Sequence, residues 1–297
     1  MKNKITEANL YMIISKTFSG LNINALKYLL PVWIAPVTGV TMRVCFAAVA
    51  FSLIDIFTKP DTSTMRDKIL LLLLGAFGLY GFMYLYLVGL STTTPVSAAI
   101  FSSTQPIWVF LISALFLKEK VTVKKIVGIL LGLGGALLCI STQKSDDLAS
   151  DAFTGNLLNL FSAIMYAGFL VLSNRILMKV SSLTMLKYTF IGAAFTALIV
   201  NSFYGFHAPL FDEPIHWWPL ALLLFVLIFP TTISYLLVPI GLKYLNATIV
   251  AIYGYLMLVV ATIVSLIIGQ DRFSWWQVLS IILIVISVYF VEIAEKK

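Results

Sequence analysis

The chain has 297 residues, 60% of them hydrophobic and only 11% charged, with a mean hydropathy of +1.00 and a net charge of +7. A water-soluble domain carries about 45–50% apolar and about 25% charged residues, so a soluble fold is excluded. The positive balance would suit nucleic acid, but the basic residues lie between apolar runs, where they set topology rather than form a patch.

Apolar runs of about 18–23 residues are long enough to cross a hydrocarbon layer of ~30 Å as helices. They lack the alternation of a membrane barrel. In chain order they predict spans near 7–25, 36–57, 68–90, 94–117 and 122–141, then 154–175, 184–203, 217–240, 245–268 and 273–293. The fold class is therefore an all-α integral membrane protein with ten transmembrane helices. Lys16, Asn22 and Asn24 make the first span the most polar. No cleavable signal peptide is expected before it. Ser91-Thr92-Thr93-Thr94-Pro95 forms a tight reversal between the third and fourth spans. Cys45 and Cys139 lie inside apolar runs, which argues against a disulfide or a metal site.

Loop charge predicts the orientation. With both termini cytoplasmic, the inner loops and termini carry fifteen basic residues, including Lys59, Arg66, Lys118, Lys124, Arg175, Lys179 and Lys243. The opposite side keeps Lys27, Lys144 and Arg272. This positive-inside bias supports an even number of spans in a cytoplasmic membrane.

A shift of 152 residues aligns 85–138 with 237–290 without a gap, placing Gly89 over Gly241, Ser113 over Ser265 and Glu119 over Asp271. Two units of five helices, 1–145 and 150–297, must face opposite ways. Inverted repeats of this kind recur in secondary transporters, with the binding site near the midplane.

Lys16 and Arg43 lie deep in their spans. An ionisable group at the bilayer centre costs at least ~2.5–3.5 kcal/mol, so it usually faces an aqueous cavity. Snorkelling is the plainer reading for Arg43. No aspartate or glutamate lies equally deep, since Glu7, Asp55 and Glu292 sit near span ends. Two cations without fixed anions favour a carboxylate- or phosphate-bearing substrate.

Helical spacing groups Ser15, Lys16, Ser19 and Asn22 on one face of the first span. Asn159, Ser162, Tyr166, Phe169 and Ser173 share a face of the sixth. Thr94, Ser97, Phe101, Thr104, Gln105 and Trp108 share one in the fourth, and Asn246, Tyr253 and Met257 in the ninth. Tyr80 and Tyr84, with Thr231 and Tyr235, extend the set. The candidate translocation residues are thus Lys16, Ser19, Asn22, Arg43, Tyr84, Ser97, Phe101, Gln105, Trp108, Ser162, Tyr166 and Tyr253. Side chains of these kinds also pack helix against helix.

The run Leu85-Tyr-Leu-Val-Gly-Leu-Ser-Thr-Thr-Thr-Pro-Val-Ser-Ala-Ala-Ile100, followed by Gln105-Pro106, Lys118-Glu119-Lys120 and Gly128, Gly132 and Gly135, resembles the EamA repeat of the drug/metabolite transporter superfamily. The second half resembles it from Gly155 to Tyr289. It departs at Leu258, which stands where Pro106 stands in the first half, and at Asp271, which replaces the usual glutamate. The first span also lacks the tryptophan often found there. The resemblance implies ten helices around a central cavity, with the fifth and tenth peripheral, and export or exchange of a small metabolite.

The expected function is a secondary transporter of a small metabolite, with a lean toward amino acids or organic anions, working by alternating access. No ATP-binding loop appears and no carboxylate suited to proton coupling is buried in a span, which points to exchange or facilitated export. A membrane-embedded enzyme and a channel are the alternatives. His207, Asp212, Glu213 and His216 share one outer loop without a spacing that suits a metal. No cofactor or metal is expected. The expected partners are the lipid bilayer and a small-molecule substrate, with the chain as monomer or homodimer.

Overall fold

A computed structural model describes residues 2–58, 63–117, 122–142, 150–245, 250 and 253–295. Among these residues the regular structure is entirely helical. Helix α1 covers Lys2–Leu29 and α2 covers Pro36–Ile56. Helix α3 runs through Met65–Leu73, a π-helical turn at Leu74–Leu79, and Tyr80–Thr92. Helix α4 has two pieces, Pro95–Ser102 and Gln105–Leu117. Then come α5 (Val123–Thr142), α6 (Ala152–Leu177) and α7 (Ser182–Tyr204). Helix α8 again contains a π segment: Trp217–Val226, Leu227–Ile233, then Ser234–Tyr244. Gly254–Ile267 forms α9 and Trp275–Glu295 forms α10.

Six of these helices are long and apolar enough to cross a membrane: α2, α3, α4, α6, α7 and α8. Shorter apolar stretches occur in α5, α9 and α10. Helix α1 is the polar one, and its polar groups turn inward: Ser15, Lys16, Asn22 and Asn24 are buried. Large apolar side chains such as Phe77, Phe195, Phe203 and Trp217 are exposed on the outside. This inside-out distribution suits a lipid solvent, in which exposed apolar surface costs nothing.

Helix starts follow local chemistry. Thr64 caps α3 in a reciprocal box with Asp67, Ser181 caps α7 through Thr184 N, and Asp151 caps α6 through Thr154 N. The fourth predicted span is interrupted at Ser103-Thr104 instead of running unbroken. Pro106 has no N–H for the carbonyl one turn back, so the backbone tightens there. Ser103 Oγ and Thr104 Oγ1 donate to Ala99 O and Phe101 O, at 2.8 and 2.6 Å, beside the bonds those carbonyls accept from Ser103 N and Thr104 N. The start of the ninth predicted span, with Asn246, lies outside the described residues, as does Glu119.

Helices α2 and α7 pack together, as do α5 and α10. Gly132 and Gly135 bring α5 against Ser287, Ile284 and Ser280 of α10. The closest crossing joins α3 to α7. A Cβ on Gly75 would meet the Thr189 carbonyl, and one on Gly192 would meet that of Leu72. Around α1 sit α8 and α9; around α6 sit α3 and α4. The space between these two groups holds the site.

Candidate functional site

A cavity of about 70 Å³ lies between α1, α2, α3, α4, α6, α8 and α9, enough for several water molecules. All four members of the α1 stripe line it: Ser15, Lys16, Ser19 and Asn22. Arg43 of α2, Gln105 of α4, Tyr166 of α6, Tyr235 of α8 and Met257 of α9 complete the predicted residues that reach it. Ser15 and Ser234 exchange hydrogen bonds, each hydroxyl donating to the other's carbonyl at 3.2 Å, and so fasten α1 to α8 at the cavity wall.

The two cations are deeply enclosed, with 4% of Lys16 and 5% of Arg43 accessible. Lys16 Nζ stands 5.8 Å from the centre of the Tyr166 ring, within cation–π range. It has no hydrogen bond or ion pair among the described residues. Arg43 Nε–H donates to Thr231 Oγ1 at 2.9 Å. That bond fixes the plane of the guanidinium and leaves its two η nitrogens without a described partner. No aspartate or glutamate lines the cavity among the described residues. Asn22 Oδ1 and Gln105 Oε1 have no hydrogen-bond partner either. A buried polar group left unpaired costs roughly 1–3 kcal/mol.

The other predicted residues are placed elsewhere. Tyr84 stacks on Tyr80, their ring centres 5.9 Å apart. Ser97 and Phe101 are fully buried in the α4 packing. Trp108 donates its indole N–H to Thr104 Oγ1 at 3.0 Å. Ser162 donates to the Phe82 carbonyl at 3.1 Å, tying α6 to α3. Tyr253 OH donates to Asn9 Oδ1 at 2.8 Å, near the start of α1.

The cavity also gathers residues that the sequence reading missed: Phe82, Tyr86, Ser102, Ser234 and Val238. In α3, aromatic groups at 80, 82, 84 and 86 cover opposite faces, and spacing alone does not say which face turns inward. The π turn at Leu74–Leu79 shifts the phase of everything after it. Phe82 and Tyr86 therefore face the cavity. The π segment of α8 has the same effect: Pro230 lines the cavity and Thr231 reaches Arg43.

A polar cluster closes the end of the molecule where α1 finishes. Lys27 Nζ donates to the carbonyls of Leu90, Ser91 and Thr93, at 3.3, 3.4 and 2.6 Å. Asp271 Oδ2 accepts from Val96 N at 3.2 Å, and Oδ1 accepts from Gln277 Nε2 at 3.3 Å. Burial holds the Asp271 carboxyl above the usual carboxylate range, partly offset by these bonds and one from Thr94. Gln270 Nε2 donates to Asn24 O at 3.0 Å. In the loop between α7 and α8, the His216 ring packs on Trp33, and no group of three or more metal-binding side chains assembles among the described residues.

The sequence pattern of the EamA-like transporter family matches this chain twice, over residues 6–141 and 153–293. The chain belongs to the EamA-like transporter family. Among its relatives is a Bacillus subtilis protein named uncharacterized transporter YyaM, 26% identical over 94% of this chain and 92% of its own length. A second from the same organism, uncharacterized transporter YetK, is 27% identical over 79% of this chain and 70% of its own length. An uncharacterized transporter of Archaeoglobus fulgidus is 26% identical over 67% of this chain and 66% of its own length. A crystal structure with 18% identity superimposes with a TM-score of 0.67, covering 97% of this chain and 98% of the other, which establishes the shared fold. This EamA-like protein is thus a multi-pass membrane protein of a transporter family.

Proposed function

We propose that the protein is a secondary transporter that exports or exchanges a small anionic or zwitterionic metabolite through the central cavity by alternating access. Its ten helices form two inverted units, 1–145 and 150–297, with both termini cytoplasmic. The inverted arrangement draws support from the packing. Exchanging each helix for the one five places away converts the α3–α6 contact into α8–α1, α4–α6 into α9–α1, and α3–α7 into α8–α2, and all six contacts occur. Both third helices of the units carry a π segment.

The observation that carries the substrate reading is the pairing of Lys16 and Arg43 in a lipid-shielded cavity that lacks a carboxylate among its described lining. An anion supplies what these groups lack. At low local dielectric, charge-assisted bonds to Arg are about twice as strong as neutral ones. The lining residues Lys16, Ser19, Asn22, Arg43, Gln105 and Tyr166 form the binding site on this reading. Tyr84, Ser97, Phe101, Trp108, Ser162 and Tyr253 hold helices together around it.

Purified protein in proteoliposomes, offered radiolabelled amino acids and organic acids, tests this. The expected result is saturable uptake, accelerated by unlabelled substrate inside, and reduced at least tenfold by Lys16→Gln at unchanged protein level. Linear, unsaturable flux would indicate a channel and overturn the carrier reading.

A further inference from the structure

A second concavity lies on the outside of the bundle, between the first half of α3 and the second half of α6. It encloses about 540 Å³ and is lined by apolar side chains such as Leu73, Phe77, Phe169 and Leu172, with one charged residue, Arg175. Phe77 and Leu73 are exposed by 71% and 50%, so the groove opens onto the surface that lipid covers. Its wall from Leu70 to Phe77 runs about 10 Å along the helix axis, most of one leaflet's ~15 Å of hydrocarbon.

Charge is concentrated at one end. Arg175 is exposed and has no ion pair or hydrogen bond among the described residues. Lys179 follows one turn later, and Arg66 and Lys68 stand at the start of α3. Two acids lie near this end: Asp67 is engaged in the Thr64 cap, in the field of Lys179 and Arg66, and Asp55 is paired with Lys187 at 2.8 Å. A basic mouth on an apolar slot between helices is the arrangement that receives an anionic lipid headgroup with its chain.

The molecule contains its own comparison. A groove of about 490 Å³ runs between α1, α8 and α9. A shift of 152 places Leu70 over Leu222 and Leu73 over Phe225, and a shift of 147 places Leu172 over Ala25. All of these residues line their respective grooves. The counterpart of Arg175 is Tyr28, and the second groove is lined by uncharged residues throughout. The related slots differ in that cation, and the second also carries Asn24, Tyr28, Gln270 and a wall from α9.

We propose that the α3–α6 groove binds an anionic phospholipid, its phosphate on Arg175 and its acyl chain along Leu73, Phe77 and Leu172 as far as Phe169. The site also touches the cavity wall from behind. Phe169 stacks on Tyr166 with ring centres 6.1 Å apart, and Tyr166 faces Lys16.

The test uses the full chain reconstituted in vesicles of equal phosphatidylglycerol and phosphatidylcholine, re-extracted in mild detergent, with retained lipid measured by mass spectrometry. Phosphatidylglycerol is expected in excess on the wild type. Arg175→Gln should lower that excess about fivefold, the factor one basic side chain supplies at an anionic surface. Gly168→Leu should fill the slot and remove it. An added Cβ at Gly168 meets only Ile112 Cδ1, at 3.9 Å, so that variant is expected to fold, which its elution volume and melting temperature report. Tyr28→Phe should leave the excess unchanged. Equal retention of both lipids, or an excess insensitive to Arg175→Gln, would overturn the proposal. So would a wild-type dimer that Gly168→Leu converts to monomer, because a second copy would then occupy the groove.

Discussion

On the proposed function, Arg43 puts a costly buried charge to use. Its Nε–H is spent on Thr231 Oγ1, and the remaining edge of the guanidinium is free to meet a ligand. The donor pair on that edge has a fixed geometry suited to a carboxylate or phosphate, which lysine cannot copy. Thr231→Val keeps the shape and removes the acceptor. A hydrogen bond to a charged group is worth about 1.5–3 kcal/mol, and this one orients rather than binds. The variant is expected to raise the KM for transport about tenfold while membrane abundance stays near wild type and the melting temperature falls by only a few degrees. A matching fall in abundance would assign Thr231 to folding instead. Lys16 differs in kind, since its ammonium meets only the Tyr166 ring among the described residues and brings a point charge into the same space.

At the scale of the helix, packing is set where backbones touch. Gly75 lies inside the π turn of α3 and faces the Thr189 backbone of α7, while Gly192 of α7 faces the Leu72 backbone. A methyl group at either place meets a carbonyl that no side-chain rotation can move. Overpacking costs about 1–3 kcal/mol in a core able to adjust, and this crossing has little room to do so. Gly75→Ala and Gly192→Ala should each lower the melting temperature in detergent by several degrees or abolish recovery of folded protein. Gly134→Ala, with open space around its Cβ, should be neutral. Much of this level was legible beforehand: apolar run length placed the described helix ends within about five residues, the start of α9 apart, and the α1 stripe lines the cavity in full. The α3 lining was not legible. Tyr80 and Tyr84 follow the same four-residue spacing as Phe82 and Tyr86, and a π turn leaves no mark in hydrophobic periodicity. Nor could the α6 stripe be trimmed from sequence. Asn159, Ser162, Phe169 and Ser173 are all buried, but only Tyr166 of that face reaches the cavity.

For the whole molecule, the contact pattern suggests two bodies meeting at the cavity, α1 with α8 and α9 on one side and α6 with α3 and α4 on the other. Ser15 and Ser234 keep α1 and α8 together, and Ser162 keeps α6 on α3. Rocking one body against the other would open the site to either face without breaking these bonds. The cluster of Lys27, Asp271 and Gln270 would be what parts and re-forms at one end. In the proposed transport cycle the cavity carries Lys16 and Arg43 and no described counter-charge. With both cations charged, the empty carrier is an ion in an electric field, whereas the carrier loaded with an anion is closer to neutral. Each elementary charge moved across a membrane at 100 mV is worth about 2.3 kcal/mol. An inside-negative potential therefore draws the vacant site toward the interior and favours one-way efflux of an anion over its uptake. One-for-one exchange never passes through the vacant form and should not respond. Clamping the potential of proteoliposomes with a potassium gradient and an ionophore would measure this: net flux should follow the voltage, and exchange should stay flat.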